Sequence, residues 1–197
     1  MKYKNLTISQ KGLSLIESAM VLAISAVIVS GVLYYYNQAQ ENRKLEEGIK
    51  QIQTIAASVN KLYTNSVTPP TGDVSSVVEA ISAITGIPTT MVNKTKMFTT
   101  PSGQWVEFWA NTQGARNNTY SLEMQVTSVS SCISYATLNM GTIMAGKTEI
   151  RVASQSYGGN SNSTNFSLSP SDASNACERA WKNKQDNNIK IRYTLSY

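Results

Sequence analysis

The stretch that decides the fold is Lys11–Tyr36, which reads KGLSLIESAMVLAISAVIVSGVLYYY. After Gly12 it runs for 24 residues with Glu17 as its one formal charge. A helix needs about 20 mostly apolar residues to span a bilayer, so this run is long enough. A charged side chain deep in hydrocarbon costs roughly 2.5–3.5 kcal/mol, so Glu17 calls for a partner. The nearest one is an amine, which exists if the chain is cut after Gly12 and Leu13 becomes the N-terminus.

Residues 1–12 are polar and basic, and we interpret them as a leader that is removed. The alternative is an ordinary secretory signal peptide, with an apolar core of about 7–15 residues and a cleavage site after it. Here the apolar run is longer, contains a glutamate, and follows the cut. Removing the three leader lysines leaves 14 Lys+Arg against 12 Asp+Glu, a charge of +2. Because no basic cluster with interleaved aromatic residues remains, we predict no nucleic-acid partner.

Helical periodicity continues after the apolar run ends. Apolar residues recur every three or four positions and form one stripe with a polar back. The stripe consists of Leu45, Ile49, Ile52, Ile55 or Ala56, Val59 and Leu62. We therefore predict a single helix from about Leu13 to Asn65, in which Gly31 and Gly48 each cost about 1 kcal/mol relative to alanine. Its first half must lie in lipid or in a bundle of its own kind, and its second half must lie on a sheet.

The rest of the chain predicts an antiparallel sheet, so the fold class is α+β. A short helix at Val74–Ile84 is followed by polar loop as far as Gly103, and strands come after it. The strands are predicted at Gln104–Ala110, Thr119–Thr127, Glu149–Ala153 and Ile189–Leu195. Apolar and polar residues alternate in the second and the last, so each strand has one apolar and one wet face. Glu123 falls on the wet face.

Two further short helices, Ser131–Asn139 and Ser169–Lys182, hold Cys132 and Cys177, and an exposed loop at Tyr157–Ser167 lies between them. An exported chain meets an oxidising compartment, where two cysteines indicate one disulfide, and two buried thiols are the alternative. The sequence contains no histidine. That excludes Ser-His-Asp and Cys-His catalysis and histidine-ligated metals. We predict no catalytic residue, no metal and no cofactor.

The residues Lys11, Gly12, Leu13 and Glu17, with the apolar helix behind them, resemble the type IV pilin signal. The resemblance implies that a prepilin peptidase cuts between Gly12 and Leu13 and methylates the new N-terminus at Leu13. It also implies that Glu17 is the assembly residue, which pairs with the N-terminal amine of a neighbouring subunit.

The cysteine-bearing segments sharpen this resemblance. SCISYATLNMG (Ser131–Gly141) and SPSDASNACE (Ser169–Glu178) look like those of the bundle-forming-pilus pilins, which belong to the type IVb class. The resemblance implies a pilin fold whose helix has a protruding apolar half and an amphipathic half packed on the sheet, with a C-terminal disulfide. The predicted domains are a cleaved leader at 1–12, an assembly helix at 13–36 and a globular pilin domain at 37–197.

The predicted function is that of a major pilin, the structural subunit of a surface filament for adherence, aggregation or conjugation. The resemblance implies as partners further copies of the chain, the prepilin peptidase and the inner-membrane assembly machinery. It places the chain in the inner membrane of a Gram-negative bacterium before assembly and in an extracellular pilus afterwards. The alternatives are a minor or tip pilin, a type II secretion pseudopilin, and a membrane-anchored periplasmic enzyme. The calcium-binding module of pseudopilins is disfavoured, because Asp73, Asp172 and Asp186 are scattered.

Overall fold

The helix predicted from the apolar run is present from Leu15 to Tyr63 as α1. It belongs to a computed structural model that describes residues 14–64, 74–111, 118–158, 166–185 and 187–197. Gly12, Leu13, the predicted loop at 65–73 and most of the loop at 157–167 lie outside the described residues. The chain divides into two units, one ending at Asn42 and one beginning at Arg43. The second unit is described first.

Helices and strands alternate irregularly in the second unit, as expected for an α+β fold. After α1 the elements are α2 (Val74–Thr85), β1 (Thr89–Val92), β2 (Thr95–Thr99), β3 (Trp105–Asn111), β4 (Thr119–Val126), α3 (Val129–Ala136), a 3₁₀ turn (Gly141–Ile143), β5 (Glu149–Val152), β6 (Gln155–Tyr157), α4 (Pro170–Asn183) and β7 (Ile189–Ser196). The four predicted strands and the predicted α2 are confirmed to within two residues at their ends.

The described strands form one antiparallel sheet in the order β1-β2-β3-β4-β7-β5-β6. The last strand, β7, lies in the interior of the sheet, between β4 and β5. It pairs with β4 along its full length, from Val126 opposite Ile189 to Thr119 opposite Ser196. The sheet therefore depends on β7, which joins β4 to β5.

The second half of α1 covers the apolar face of this sheet, as predicted. Ile52, Ile55, Ala56 and Val59 are all at most 1% exposed. They belong to the same core as the inward side chains of β4 and β7, which are Tyr120, Leu122, Met124, Val126, Ile189, Ile191, Tyr193 and Leu195. Full burial of such a side chain stabilises the fold by about 1.5–3 kcal/mol.

The predicted stripe is wrong at its last position. Leu62 is 38% exposed. Tyr63 takes the inward place instead, with its ring 5.8 Å from that of Tyr197 at the end of the chain. A stripe at spacings of three and four drifts around a helix of 3.6 residues per turn, so its terminal member is the first to leave the core.

The polar loop predicted before Gly103 is also wrong, because β1 and β2 form a hairpin there. Its two turn residues, Asn93 and Lys94, both have positive φ (49° and 67°), as a tight two-residue hairpin turn requires. Because this turn contains no glycine, it lacks the strongest sequence signal of a hairpin. Phe98 of β2 is completely buried. The short strand β6 was missed as well, since part of it lies in the segment predicted as loop.

Glu123 contradicts the prediction that alternate residues of β4 are wet. Its side chain is 3% exposed, and its neighbour on the same face, Ser121, is 4% exposed. Lys190 and Arg192 of β7 pair with Glu123 from the adjacent strand. Alternation correctly assigned these residues to the face away from α1, but it does not reveal how deeply neighbouring side chains cover that face.

The caps of α3 and α4 fix where the two cysteine-bearing helices begin. Ser128 forms a capping box with Ser131, so α3 starts at Val129, two residues before the predicted start. It ends at Ala136, short of the predicted Asn139. The Asn139 side chain instead accepts a hydrogen bond from the Gly141 N–H (2.8 Å) and starts the next turn. In α4 the Ser169 hydroxyl accepts a hydrogen bond from the Asp172 N–H, so the helix begins at Pro170, one residue after the predicted start.

Candidate assembly site

Within the described residues the first unit consists of α1 as far as Asn42, and the apolar run up to Tyr36 makes up most of it. Each of its 14 large apolar side chains is between 55% and 87% exposed. They are Leu15, Ile16, Met20, Val21, Leu22, Ile24, Val27, Ile28, Val29, Val32, Leu33, Tyr34, Tyr35 and Tyr36. Soluble monomers rarely expose apolar patches larger than a few hundred Å². This segment therefore requires a lipid or protein environment.

In the described part of the chain, α1 is the one helix long and apolar enough to cross a membrane. Its apolar part also contains serines, which need hydrogen bonds in such an environment. The hydroxyls of Ser18, Ser25 and Ser30 donate to the carbonyl oxygens of Ser14, Val21 and Ala26, one turn back, over 2.7–3.0 Å. An unpaired hydroxyl in an apolar medium costs free energy, and these bonds remove that cost.

The carboxylate of Glu17 lies in the first turn of this apolar helix. Its Oε2 accepts a hydrogen bond from the Ser14 backbone N–H over 2.9 Å. This contact is one half of a capping box, in which the third helical residue reaches back to the residue before the helix. The signal was present in the sequence, because Ser14–Glu17 reads SLIE, a serine followed three residues later by glutamate. Glu17 thus helps to begin α1 whatever else it does.

The structure joins the two cysteines, so the predicted disulfide is confirmed. Cys132 on α3 and Cys177 on α4 are bonded, with their Cα atoms 6.0 Å apart. Both side chains are completely buried. The bond ties α3 to α4 through two cysteines that are 45 residues apart in sequence.

A cleft of about 780 Å³ lies beside α4 and β6. It is lined mostly by polar groups, among them Asp172, Glu178, Arg179 and Lys182 of α4. Two carboxylates are followed by two cations along this helix, and Glu178 and Lys182 are four residues apart, a spacing common on a solvated helix face. In the described ranges no group of three or more acidic, cysteine or histidine side chains is placed to hold a metal.

A helix that is apolar and exposed in its first part and packed on an antiparallel sheet in its second, with a disulfide near the C-terminus, defines a type IV pilin fold. A crystal structure of a type IVb pilin from Salmonella typhi has this fold, with a TM-score of 0.52 and 14% identity. The match covers 76% of this chain and 98% of that one.

The family model described as Bundlin matches residues 37–196, and the chain belongs to this family. Two relatives are named as the major structural subunit of the bundle-forming pilus, from Escherichia coli O111:H- and from the enteropathogenic E. coli O127:H6 strain E2348/69. Each is 32% identical over 194 residues, and each match covers 94% of both chains.

Proposed function

We propose that this protein is a major pilin, which polymerises through the apolar part of α1 into an extracellular filament. The observation that carries the proposal is the row of exposed apolar side chains from Leu15 to Tyr36 in a member of the Bundlin family. Burying them against the same segment of other copies removes apolar surface from water at about 25 cal/mol per Å². The role is structural rather than enzymatic, as membership of a pilin family suggests.

Before assembly the same segment is proposed to lie in the inner membrane of a Gram-negative cell. Its length suits a bilayer span. Its serine hydroxyls donate to backbone carbonyls of the same helix, so they are not left unpaired in hydrocarbon. The lysines of residues 1–12 would stay on the cytoplasmic side. The inner-membrane assembly machinery would then extract the subunit into the filament.

Processing is proposed to separate a leader, 1–12, from a helical assembly segment, 13–36, and a pilin domain, 37–197. A prepilin peptidase would cut between Gly12 and Leu13 and methylate the Leu13 amine. The cut places the new amine one residue before Ser14, whose N–H already contacts Glu17.

In a filament Glu17 is proposed to pair with the Leu13 amine of an adjacent subunit. An ion buried without a partner is strongly unfavourable, and pairing offsets that cost. Because one carboxylate meets one amine per contact, the pairing would also fix the axial register between neighbouring helices.

The test is to shear filaments from cells that express the gene, view them by electron microscopy and analyse the subunit by mass spectrometry. We expect filaments built mainly of this chain, with Leu13 as the first residue. Deletion of the gene should remove them. Filaments of another composition that persist in the deletion strain would contradict the proposal of a major pilin.

A further inference from the structure

The packed half of α1 carries a notch at Gly48. A Cβ atom built there would lie 2.2 Å from Tyr135 Oη and 3.4 Å from Tyr135 Cζ. At Gly31, the other glycine of α1, nothing lies within 4 Å of the same position. Glycine weakens a helix interior relative to alanine, so a buried glycine in α1 needs a packing reason. At Gly48 the reason is the tyrosine hydroxyl that occupies the space of the missing side chain.

Tyr135 is held firmly where it meets the notch. Its side chain is almost completely buried, and its hydroxyl donates a long hydrogen bond of 3.5 Å to the Leu45 carbonyl of α1. Its own backbone carbonyl accepts a bond of 2.6 Å from the Tyr193 hydroxyl on β7. Burial raises the pKa of Tyr135 to about 12, further above physiological pH than that of an ordinary tyrosine. Tyr135 thus connects α1, α3 and the interior strand β7.

The disulfide fixes the other end of this connection. Cys132 lies one turn before Tyr135 on α3, and its bond to Cys177 attaches α3 to α4. A displacement of α3 would move Tyr135 relative to Gly48. The structure therefore contains a continuous series of contacts from the disulfide, through Tyr135, to the helix that carries the assembly segment.

We propose that Gly48 and Tyr135 form a seat that sets the position of α1 along and around its axis, and that assembly competence depends on this seat. Both are positioning residues, because they act on assembly only through the placement of α1. The seat explains why a glycine stands at this point of the packed half of α1. The filament readout rests on the proposed function, whereas the packing readouts below do not.

The experiment is a rescue cycle in the full-length chain, with Gly48→Ala, Tyr135→Phe and the two combined. Gly48→Ala should lower the Tm in detergent micelles, although alanine is the better helix former, and should reduce filament yield at least tenfold. Tyr135→Phe removes the atom nearest the new Cβ and leaves Cζ at an ordinary contact distance. The double variant should therefore regain most of the Tm and at least half of the filaments. The single Tyr135→Phe variant leaves the space at Gly48 empty and loses the bond to Leu45, so it should assemble less well than the wild type but better than Gly48→Ala.

Hydrogen exchange of the α1 amides around Leu45–Ile49 gives a readout that does not need filaments. Their protection should fall in Gly48→Ala and return in the double variant. Gly31→Ala is the matched control, because it makes the same glycine-to-alanine change in α1 where no atom lies within 4 Å of the new Cβ. Its Tm should equal or exceed that of the wild type.

Two results would overturn the seat. One is wild-type assembly and Tm for Gly48→Ala, and the other is a double variant no better than Gly48→Ala alone. If Gly48→Ala does not fold, recovery of folding in the double variant supports the seat and continued failure overturns it. If the wild type itself forms no filaments, the proposed function fails, and the exchange and Tm cycle still decides the seat.

Discussion

Arg192 on β7 lies directly opposite Glu123 on β4, and its Nε–H donates a hydrogen bond of 2.8 Å to Glu123 Oε2. Lys190 approaches the other carboxylate oxygen at 2.7 Å. The two cations are themselves covered by indole rings, Lys190 by Trp105 at 5.0 Å and Arg192 by Trp109 at 5.9 Å. A buried carboxylate is therefore held between two cations on the face of the sheet away from α1.

Replacing Glu123 with glutamine should destabilise the fold at neutral pH. The change leaves both cations without their counter-charge, which costs about 3–5 kcal/mol when a pair is fully buried. Here the Lys190 and Arg192 side chains are 34% and 27% exposed, so water can compensate in part. We expect a loss of about 2 kcal/mol in the free energy of unfolding, measured by denaturant titration.

Glu79→Gln is the matched control, because its ion pair with Lys96 is on the surface and the Glu79 side chain is 62% exposed. Exposed pairs contribute about 0.2–1 kcal/mol, so this variant should stay close to the wild type. Equal losses for the two variants would show that burial of Glu123 does not matter.

Glu107 should make the folding stability increase on mild acidification. It lies directly opposite Glu123 on β3, and its pKa is raised from 4.5 by burial and by the Glu123 charge, against the lowering effects of Lys190, a Trp109 hydrogen bond and Arg192. As pH falls from neutral through that raised pKa, the folded chain binds the proton before the unfolded chain does. This group therefore adds stability on mild acidification, and the gain levels off once the unfolded chain is protonated too.

Glu107→Gln should remove that slope and raise the stability at pH 7, since it eliminates a like-charge contact. Glu123 acts in the opposite sense. Burial alone would raise its pKa, but the bonds and charges of Lys190 and Arg192 outweigh burial and hold the pKa below 4.5. Its contribution is present above the unfolded value and is lost as pH falls through the lowered pKa. Urea titrations of Glu107→Gln and Glu123→Gln from pH 3 to 8 should separate the pH dependence of stability that each carboxylate causes. An unchanged dependence of stability on pH in Glu107→Gln would refute the role assigned to Glu107.

The sequence predicted most of the helices and strands, but not the burial of every side chain or the position of every turn. The long helix and its stripe were readable because the apolar residues keep one period over many turns. The burial of Glu123 was not, because it depends on Trp105, Lys190 and Arg192 from two other strands. The β1–β2 hairpin was not predicted, because its turn residues, Asn93 and Lys94, are not glycines.

The same limit applies to the assembly segment. Its apolar length and Glu17 are visible in the sequence, and the Ser14–Glu17 capping signature was visible but overlooked. The role of Gly48 was not predictable, because its partner Tyr135 is 87 residues away and is brought to it only by the packing of α3. Local periodicity predicts which face is buried, whereas the identity of the facing residue requires the fold.

The disulfide should be needed for a durable subunit. Closing a loop of 45 residues stabilises the fold by about 4 kcal/mol on the chain-entropy account. Cys177→Ser should therefore be processed normally but be proteolytically fragile and give few pili. The double Cys132→Ser/Cys177→Ser variant controls for the free thiol and should behave alike. Wild-type pilin levels and piliation in both variants would show that the bond is dispensable.

The proposed leader gives a sharp test at Gly12. If the peptidase site admits only a residue without a side chain there, Gly12→Val should leave full-length, membrane-bound precursor and no filaments. Mass spectrometry of wild-type filaments should find Leu13 first, with the mass of one added methyl group. A first residue after Gly31 or near Ala39 would instead indicate an ordinary secretory signal peptide.

The role of Glu17 can be divided between capping and charge by three substitutions. Glu17→Gln keeps a side-chain oxygen able to accept from the Ser14 N–H, as glutamine does in a capping box, but it removes the charge. Glu17→Val removes both, and Glu17→Asp keeps the charge on a chain one methylene shorter. If the carboxylate pairs with the Leu13 amine of a neighbour, Gln and Val should both be cleaved normally yet form no filaments alone. In each case the neighbour's amine is left buried without its partner. Asp should be intermediate, because its shorter chain reaches the amine less well.

Cleavage is measured by mass spectrometry of membrane pilin, and assembly by counting filaments in the same cultures. Full assembly of Glu17→Gln with failure of Glu17→Val would assign the effect to capping, and wild-type piliation from Glu17→Val would remove this carboxylate from the assembly mechanism.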